Sequence, residues 1–82
     1  MAYVYILRGA SGKYYIGSTN NLERRLAEHH RGGNHTTRRF GAPIELILAK
    51  EFASIREARR FERILKLKKN PRLAVFALQA HS

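Results

Sequence analysis

The pattern of hydrophobic and polar residues indicates three β-strands. Tyr3 to Leu7 and Gly12 to Ser18 are rich in aromatic and β-branched residues, and a short glycine-containing turn joins them. Two such stretches separated by a turn predict a β-hairpin. A third stretch, Ile44 to Phe52, is so apolar that we expect it to lie in the centre of the sheet.

Apolar residues at helical spacing and the residues that flank them predict three helices. The first runs from about Leu22 to Arg31, between two asparagines that can cap it and two glycines that end it. Ser54 to Glu57 form a capping box, which predicts a second helix that continues to about Lys68. Asn70 followed by Pro71 predicts the start of a third, short and apolar helix.

The resulting element order is ββαβαα, which predicts an α/β fold of the α+β type. We expect a small three-stranded antiparallel sheet flanked by helices. The chain has 82 residues, and we expect one domain that spans residues 1–82. The polar and basic segment before the third strand contains Gly41 and Pro43 and predicts an exposed loop.

Charge and composition narrow the class of partner. Sixteen Lys and Arg residues against six Asp and Glu residues give a formal net charge of +10, which favours a polyanionic partner such as nucleic acid. The absence of cysteine excludes disulfides and thiolate metal sites. No stretch has the length of a membrane span or the features of a signal peptide. We therefore expect a cytoplasmic protein that does not contact a membrane.

The first predicted helix carries two ionisable residues on its apolar face. Leu22, Arg25, Leu26 and His29 follow the spacing i, i+3, i+4 and i+7, so they share one stripe. Taken alone, Arg25 can lay its methylene stem along the core with its head in water. His29 alone is equally compatible with a semi-buried histidine that has a hydrogen-bond partner.

The second predicted helix repeats this pattern with a carboxylate. Ala58, Phe61, Glu62 and Leu65 occupy the same four positions. Because an unpaired buried carboxylate is costly, Glu62 must shift its pKa, pair with a cation such as Arg25 or the nearby lysine at position 66, or bind a metal. Two helices that direct ionisable groups at one sheet are typical of a functional site.

Tyrosines on the predicted strands complete a possible catalytic group. Alternation places Tyr3 and Tyr5 on one side of the first strand, and Tyr15 belongs to the second. Together with arginine, histidine and glutamate, tyrosine can form a phosphodiester-cleaving site. The arginine holds the phosphate, the carboxylate holds a divalent ion, and tyrosine or histidine moves the proton of the attacking water.

At these residues the chain resembles the GIY-YIG nuclease superfamily, in particular its small single-domain bacterial members of the URI-domain type. The first family motif corresponds to Tyr3-Val4-Tyr5, and the second is present unchanged as Tyr15-Ile16-Gly17. The family arginine corresponds to Arg25 and the family histidine to His29, while Glu62 corresponds to the glutamate of the later helix. The resemblance extends over about residues 3–69.

The resemblance implies a metal-dependent endonuclease that hydrolyses DNA phosphodiester bonds and acts in DNA repair. Glu62 would bind Mg²⁺ or Mn²⁺, and Arg25 would neutralise the scissile phosphate. Tyr5, Tyr15 and His29 would orient and deprotonate the attacking water. The resemblance leaves open which of these three is the general base. The implied catalytic residues are Tyr5, Tyr15, Arg25, His29 and Glu62.

The sequence departs from the family pattern in three ways. Tyr3 stands where the first motif has glycine, and the family's late asparagine has no clear counterpart, since Asn70 is already explained as a helix cap. We also expect no counterpart of the separate DNA-recognition domain that larger relatives carry. Arg38 and Arg39 either contact nucleic-acid phosphates or form part of a solvated basic loop.

Two other functions fit the same sequence. The first is a nucleic-acid-binding module that is non-catalytic or directed at RNA. The second is a small basic protein with a purely structural role. For the endonuclease, the sequence leaves open whether the DNA substrate is branched, damaged or plain duplex, and whether the protein acts as a monomer or a homodimer.

Overall fold

A computed structural model of the chain describes residues 1–30 and 44–81. Its strands are β1 (Ala2–Arg8), β2 (Tyr14–Thr19) and β3 (Glu45–Phe52), and its helices are α1 (Leu22–His30), α2 (Ile55–Lys66) and α3 (Pro71–Ala80). In the described residues these elements follow the order ββαβαα, so the predicted α+β fold is confirmed. The described residues do not include Arg31, the predicted end of the first helix, or the predicted loop at 34–43. The two predicted phosphate contacts, Arg38 and Arg39, belong to that loop and also lie outside the described residues.

The sheet has the strand order β2-β1-β3, and both pairings are antiparallel. The prediction that Ile44 to Phe52 would form the central strand is therefore wrong, because β1 takes that place and β3 lies at an edge. The burial of the strands explains the difference. Residues 4–7 of β1 are all buried, as expected for a strand covered on both faces, whereas Glu45 and Leu46 of β3 are exposed.

The two faces of β1 serve different purposes. One face packs with β3, α2 and α3 into the hydrophobic core, which consists of Ala2, Val4, Ile6, Phe52, Ala58, Leu65, Ala74 and Leu78. Because side chains alternate along a strand, Tyr5 faces the other way, towards His29 of α1. The central strand therefore connects the core to a second buried cluster.

Each described helix begins with a side-chain cap. Asn21, Ser54 and Asn70 accept hydrogen bonds from backbone N–H groups in the first turns of α1, α2 and α3, at 3.0, 3.2 and 2.9 Å. These bonds confirm the predicted caps, and such caps satisfy amides that the helix itself leaves unpaired. In the described part of the chain, none of the helices has the length and apolar character needed to cross a membrane.

The turn between α2 and α3 contains a residue in the left-handed region. α2 ends at Lys66, two residues earlier than predicted, and Lys69 then adopts a φ of 58° before the cap of α3. This conformation reverses the chain within a few residues. It positions α3 so that it packs on both β3 and α2.

Candidate active site

A hydrogen bond between Tyr5 and His29 lies at the centre of the candidate site. The Tyr5 hydroxyl oxygen is 3.1 Å from Nε2 of His29, and only 1% of each residue is exposed. Buried polar groups of this kind are costly unless they are paired. The bond therefore satisfies both side chains and fixes their relative positions.

Tyr15 completes a cluster of three rings. Its ring centroid lies 6.2 Å from that of Tyr5 and 5.2 Å from that of His29, and the two tyrosine rings are tilted relative to each other. The histidine ring meets each tyrosine edge to face. Such contacts between aromatic rings are stabilising. The sequence-predicted residues Tyr5, Tyr15 and His29 thus come together.

Gly17 makes the close packing of these rings possible. It lies opposite Tyr5 in the pairing of β1 and β2. A Cβ atom at position 17 would lie 2.5 Å from the Tyr5 hydroxyl oxygen and 3.0 Å from Cε1 of Tyr15. The tyrosine ring therefore occupies the space that any other residue at this position would need.

The surroundings of Tyr5 keep its hydroxyl protonated. Burial raises the pKa of Tyr5 far above its usual value. Tyr15 raises this pKa further, whereas the Arg25 guanidinium lowers it and the Glu62 carboxylate raises it. Tyr5 is therefore a neutral phenol at neutral pH, and the charges of Arg25 and Glu62 act on its pKa in opposite directions.

Arg25 lies at the rim of this cluster. Its side chain is 41% exposed, and its Nε is 3.7 Å from the carboxylate of Glu28, one helical turn further along α1. An exposed pair of this kind contributes little to stability. The charged end of the Arg25 side chain is consequently accessible from solvent.

Glu62 is held by two neighbours. The Ser18 hydroxyl donates a hydrogen bond to its Oε1, and Lys66 Nζ lies 2.6 Å from its Oε2. Only 18% of the Glu62 side chain is exposed, against 55% for Lys66. Of the cation pairings considered from the sequence, the structure contains the one with Lys66, whereas Arg25 pairs with Glu28.

Strand β2 connects the aromatic cluster of Tyr5, Tyr15 and His29 with the contacts of Glu62. Neighbouring residues of a strand point to opposite faces, so Gly17 lies with the aromatic cluster while Ser18 faces α2 and reaches Glu62. Around the carboxylate is a cavity of about 440 Å³, the Glu62 cavity. It is lined by Ser18, Arg59, Glu62, Arg63, Lys66 and Leu67.

The donors at Glu62 suit a hard divalent cation. A carboxylate and a hydroxyl are oxygen ligands, and Mg²⁺ commonly takes one or two carboxylates while water and substrate phosphate supply the rest. In residues 1–30 and 44–81 there is no cluster of three or more potential His, Cys, Asp or Glu ligands. The residues therefore fit an ion that substrate helps to bind, rather than a fully caged one.

Sequence reasoning missed several members of this site. It did not single out Ser18, the close packing that requires Gly17, or the cationic lining that Arg59 and Arg63 give the Glu62 cavity. The signals were present in part, since Ser18 directly follows the second motif and Arg59, Arg63 and Lys66 share the helical face of Glu62. Which strand face Ser18 would take depended on the register, which the sequence does not specify.

Comparison with known proteins identifies the family of the chain. Residues 1–74 match the GIY-YIG catalytic domain. A UPF0213 protein of Streptococcus pneumoniae serotype 4 is 44% identical over 75 residues, covering 92% of this chain and 76% of the relative. A UPF0213 protein of Halobacterium salinarum is 36% identical over 77 residues, covering 93% of this chain and 100% of the relative.

A solved structure shares the fold. The solution NMR structure of a UPF0213 protein from Bacillus halodurans matches with a TM-score of 0.56 and 32% sequence identity, covering 93% of this chain and 85% of that one. Both the sequence match and the structural match thus extend over most of the chain. On this basis the chain belongs to the GIY-YIG family, a family of nucleases.

Proposed function

We propose that the protein is a divalent-metal-dependent endonuclease that hydrolyses DNA phosphodiester bonds. The observation that carries the proposal is the buried hydrogen bond between Tyr5 and His29, with Arg25 and Glu62 close enough to influence the same phenol. A proton-transfer pair, a cation and a carboxylate are the groups that phosphodiester hydrolysis requires.

The Tyr5–His29 pair offers a route for the proton of the attacking water. As the Tyr5 oxygen accepts that proton, its own proton passes along the 3.1 Å bond to Nε2 of His29. This requires the tautomer that carries its proton on Nδ1. A phenolate, which burial disfavours, is never formed. We therefore assign the relay of the water's proton to Tyr5, its final acceptance to His29, and the orientation of that water to Tyr5 together with Tyr15.

Arg25 would bind the scissile phosphate. Its guanidinium is accessible from solvent, and Arg25 lies one helical turn before His29 on α1, so a phosphate that it binds would lie on the same side of the helix as the Tyr5–His29 pair. A guanidinium can donate two parallel hydrogen bonds to phosphate oxygens. It would offset the negative charge that develops as water attacks the phosphorus and the bond to the leaving oxygen breaks.

Glu62 and Ser18 would hold the divalent ion, which we propose is Mg²⁺ or Mn²⁺. When bound, such an ion stabilises charge on the phosphate and the leaving oxygen. Lys66 must then release Oε2, and its largely exposed side chain leaves it free to turn towards solvent or a phosphate. Arg59 and Arg63, in the same cavity, offer further contacts to the DNA backbone.

The Lys66–Glu62 ion pair also supports a second candidate function. A lysine that permanently neutralises the carboxylate would exclude the metal, and the remaining cationic cavity would then serve a non-catalytic or RNA-directed binding module. The net charge of +10 fits either function. The two candidates differ in whether cleavage occurs at all.

Nicking of supercoiled plasmid with Mg²⁺ or Mn²⁺ tests the endonuclease. We expect Glu62→Gln and Arg25→Ala to lower the rate by about 100-fold or more. Arg24→Ala is the matched control, because Arg24 has the same charge, is exposed and precedes Arg25 on α1; its rate should stay within about threefold of wild type.

Three other results would contradict the proposed DNA endonuclease or its proposed site. Equal nicking by all variants would show that the site is wrong or that the activity is a contaminant. Salt-sensitive DNA binding without cleavage under either metal would favour the binding module. Cleavage of an RNA strand but not of the matching DNA strand would change the substrate class.

A further inference from the structure

Positive charge is concentrated in one segment of the described chain. Residues 56–72 contain eight Lys and Arg residues but only two Glu residues. The other described residues contain five Lys and Arg residues and four Glu residues, so their charges nearly cancel. Within the described residues, the field that attracts polyanions therefore comes from helix α2 and the chain that follows it.

Four arginines form a row on the solvent side of α2. All four are exposed, and their spacing of three or four residues places them on one helical face. That face lies away from Ala58 and Leu65, which α2 buries in the core. We call these residues the α2 basic row: Arg56, Arg59, Arg60 and Arg63.

The row is unfavourable for α2 itself. Like charges three or four residues apart destabilise a helix, and every arginine of the row has two such neighbours within it. Arg56 also lies in the first turn, at the positive end of the helix dipole. Within residues 1–30 and 44–81, none of the four arginines lies within salt-bridge distance of a carboxylate. A bound polyanion would supply the missing counter-charge.

The length of the row fits the backbone of a DNA strand. An α-helix rises about 1.5 Å per residue, so Arg56 and Arg63 are about 10 Å apart along the axis of α2. Along a duplex, the phosphates of one strand recur about every 3.4 Å. The row can therefore reach about three consecutive phosphates. Guanidinium groups suit this ligand because they donate paired hydrogen bonds to phosphate oxygens.

The row continues outwards from the candidate site. Arg59 and Arg63 line the Glu62 cavity, whereas Arg56 and Arg60 lie outside its lining. A DNA strand with its scissile phosphate near Glu62 would meet the first two arginines inside the cavity. The same strand would have its neighbouring phosphates beside Arg56 and Arg60.

We propose that Arg56 and Arg60 bind the phosphates that neighbour the cleaved one, so that the α2 basic row carries the backbone of the DNA strand. This inference rests on the proposed function and extends it from the Glu62 cavity to the outer face of α2. Because backbone contacts carry no sequence information, the row binds DNA of any sequence. It contributes to affinity and position rather than to the chemical step.

Salt-dependent DNA binding in EDTA tests the proposal without cleavage. Fluorescence anisotropy gives the affinity for a labelled duplex between about 50 and 200 mM salt. We expect Arg56→Gln and Arg60→Gln each to weaken binding by about three- to tenfold. Each should also lower the slope of log affinity against log salt by about one, because one phosphate contact is lost. A second duplex of unrelated sequence should give the same changes.

Arg24→Gln is the matched control for these variants. Arg24 has the same charge, is exposed and lies on α1, outside the row. A charge that does not contact phosphate is largely screened in this range of salt, so the affinity of Arg24→Gln should stay within about twofold of wild type. An equal loss in Arg24→Gln would show that binding depends on net charge alone and would overturn the proposal. Wild-type affinity and slope in both row variants would also overturn it.

Thermal stability separates a lost contact from a lost structure. Removing the charge of Arg56 or Arg60 relieves repulsion within α2, so the melting temperature should be unchanged or higher by up to about 5 °C. Weaker binding together with a lower melting temperature would assign the loss to the fold and contradict the proposal. Displacement of the duplex by polyglutamate more readily than by unlabelled DNA, at equal charge concentration, would assign the row to acidic polypeptides instead.

The two proposals fail in different ways. Salt-sensitive binding that depends on Arg56 and Arg60, without cleavage under any metal, would retain the row and refute the endonuclease. Metal-dependent cleavage with the same KM in Arg56→Gln, Arg60→Gln and the wild type would retain the endonuclease and refute the row.

Discussion

The phenol of Tyr5 occupies the space directly above Gly17, its partner across the β1–β2 ladder. A Cβ at position 17 would lie 2.5 Å from the Tyr5 oxygen and 2.6 Å from Cζ, closer than packed atoms approach. The final glycine of the second family motif is thus explained by contact with the tyrosine of the first. The two motifs form one packing unit rather than two separate signatures.

This contact predicts the effect of Gly17→Ala. Because Tyr5 is buried and bonded to His29, it cannot swing away without breaking that bond. We expect a loss of about 1–3 kcal/mol in the free energy of unfolding, together with reduced nuclease activity. Urea unfolding measures the first effect and plasmid nicking the second. Wild-type values of both in Gly17→Ala would contradict the packing described.

The second prediction concerns Tyr5 and alkaline pH. The pKa of Tyr5 is raised on folding, so above about pH 10 the unfolded chain releases a proton that the folded chain keeps. Stability should therefore fall as pH rises beyond that value. Tyr5→Phe should remove this part of the pH dependence, which urea unfolding at pH 8 and at higher pH would measure.

The same variant has a cost at neutral pH. Tyr5→Phe leaves Nε2 of His29 without the Tyr5 hydroxyl, and we expect a loss of about 1–2 kcal/mol in unfolding free energy. Tyr3→Phe is the control, since the Tyr3 hydroxyl forms a long, exposed hydrogen bond of 3.5 Å to Glu51. Equal alkaline destabilisation of Tyr5→Phe and the wild type would show that Tyr5 is not the group responsible.

The third prediction is that Lys66 competes with the metal for Glu62. Removing the ammonium group 2.6 Å from Oε2 should strengthen Mn²⁺ binding. We expect Lys66→Met to raise the affinity by about three- to tenfold, as measured by electron paramagnetic resonance of free Mn²⁺. Arg63→Met is the matched control, because Arg63 lines the same cavity and carries the same charge.

A general electrostatic effect would give a similar increase in both variants. A direct competition would give the larger increase in Lys66→Met alone. Weaker Mn²⁺ binding by Lys66→Met would contradict the competition and suggest that Lys66 helps to orient the carboxylate.

The fourth prediction concerns Ser18. Ser18→Ala removes the hydroxyl that donates to Oε1 of Glu62. Groups that orient a metal ligand affect metal binding, so we expect Mn²⁺ affinity and nicking to fall by about tenfold. Ser18→Thr keeps a hydroxyl and should recover part of both. Unchanged Mn²⁺ affinity in Ser18→Ala would separate Ser18 from the metal site.

The fifth prediction provides a stability control remote from the site. Ser54 caps α2 by accepting a hydrogen bond from the amide of Glu57 at 3.2 Å. Ser54→Ala should lower the unfolding free energy by about 1 kcal/mol and leave nicking at permissive temperature unchanged. If nicking fell in proportion to stability, the activity losses of the other variants would need correction for unfolding.

Local signals in the sequence predicted most of the fold. Turn residues, the capping asparagines and the Ser54 capping box act within a few residues, so the helix starts followed from them. The order of strands was a different problem. The apolar run of β3 predicted a central strand, but β1 takes that position and is buried more continuously. The order of strands depends on contacts between distant parts of the chain, which local signals do not report.

The candidate site was predictable in its members more than in its contacts. The spacing predicted that His29 and Glu62 point at the sheet, where they contact Tyr5 and Ser18, whereas Arg25 stays partly exposed beside Glu28. The partners of Glu62 were harder to predict, because both Lys66 and Arg25 could have supplied the cation. The register of β2 settled the rest, since it directs Ser18 towards α2 and leaves Gly17 under Tyr5.

The central strand has a consequence for how the protein would lose activity on heating. Tyr5 stands between Val4 and Ile6, two fully buried residues, on a strand with a partner on each side. Within residues 1–30 and 44–81, Tyr5 cannot be displaced without breaking the pairing of β1 with both of its neighbouring strands. Inactivation by heat should therefore coincide with cooperative unfolding of the sheet.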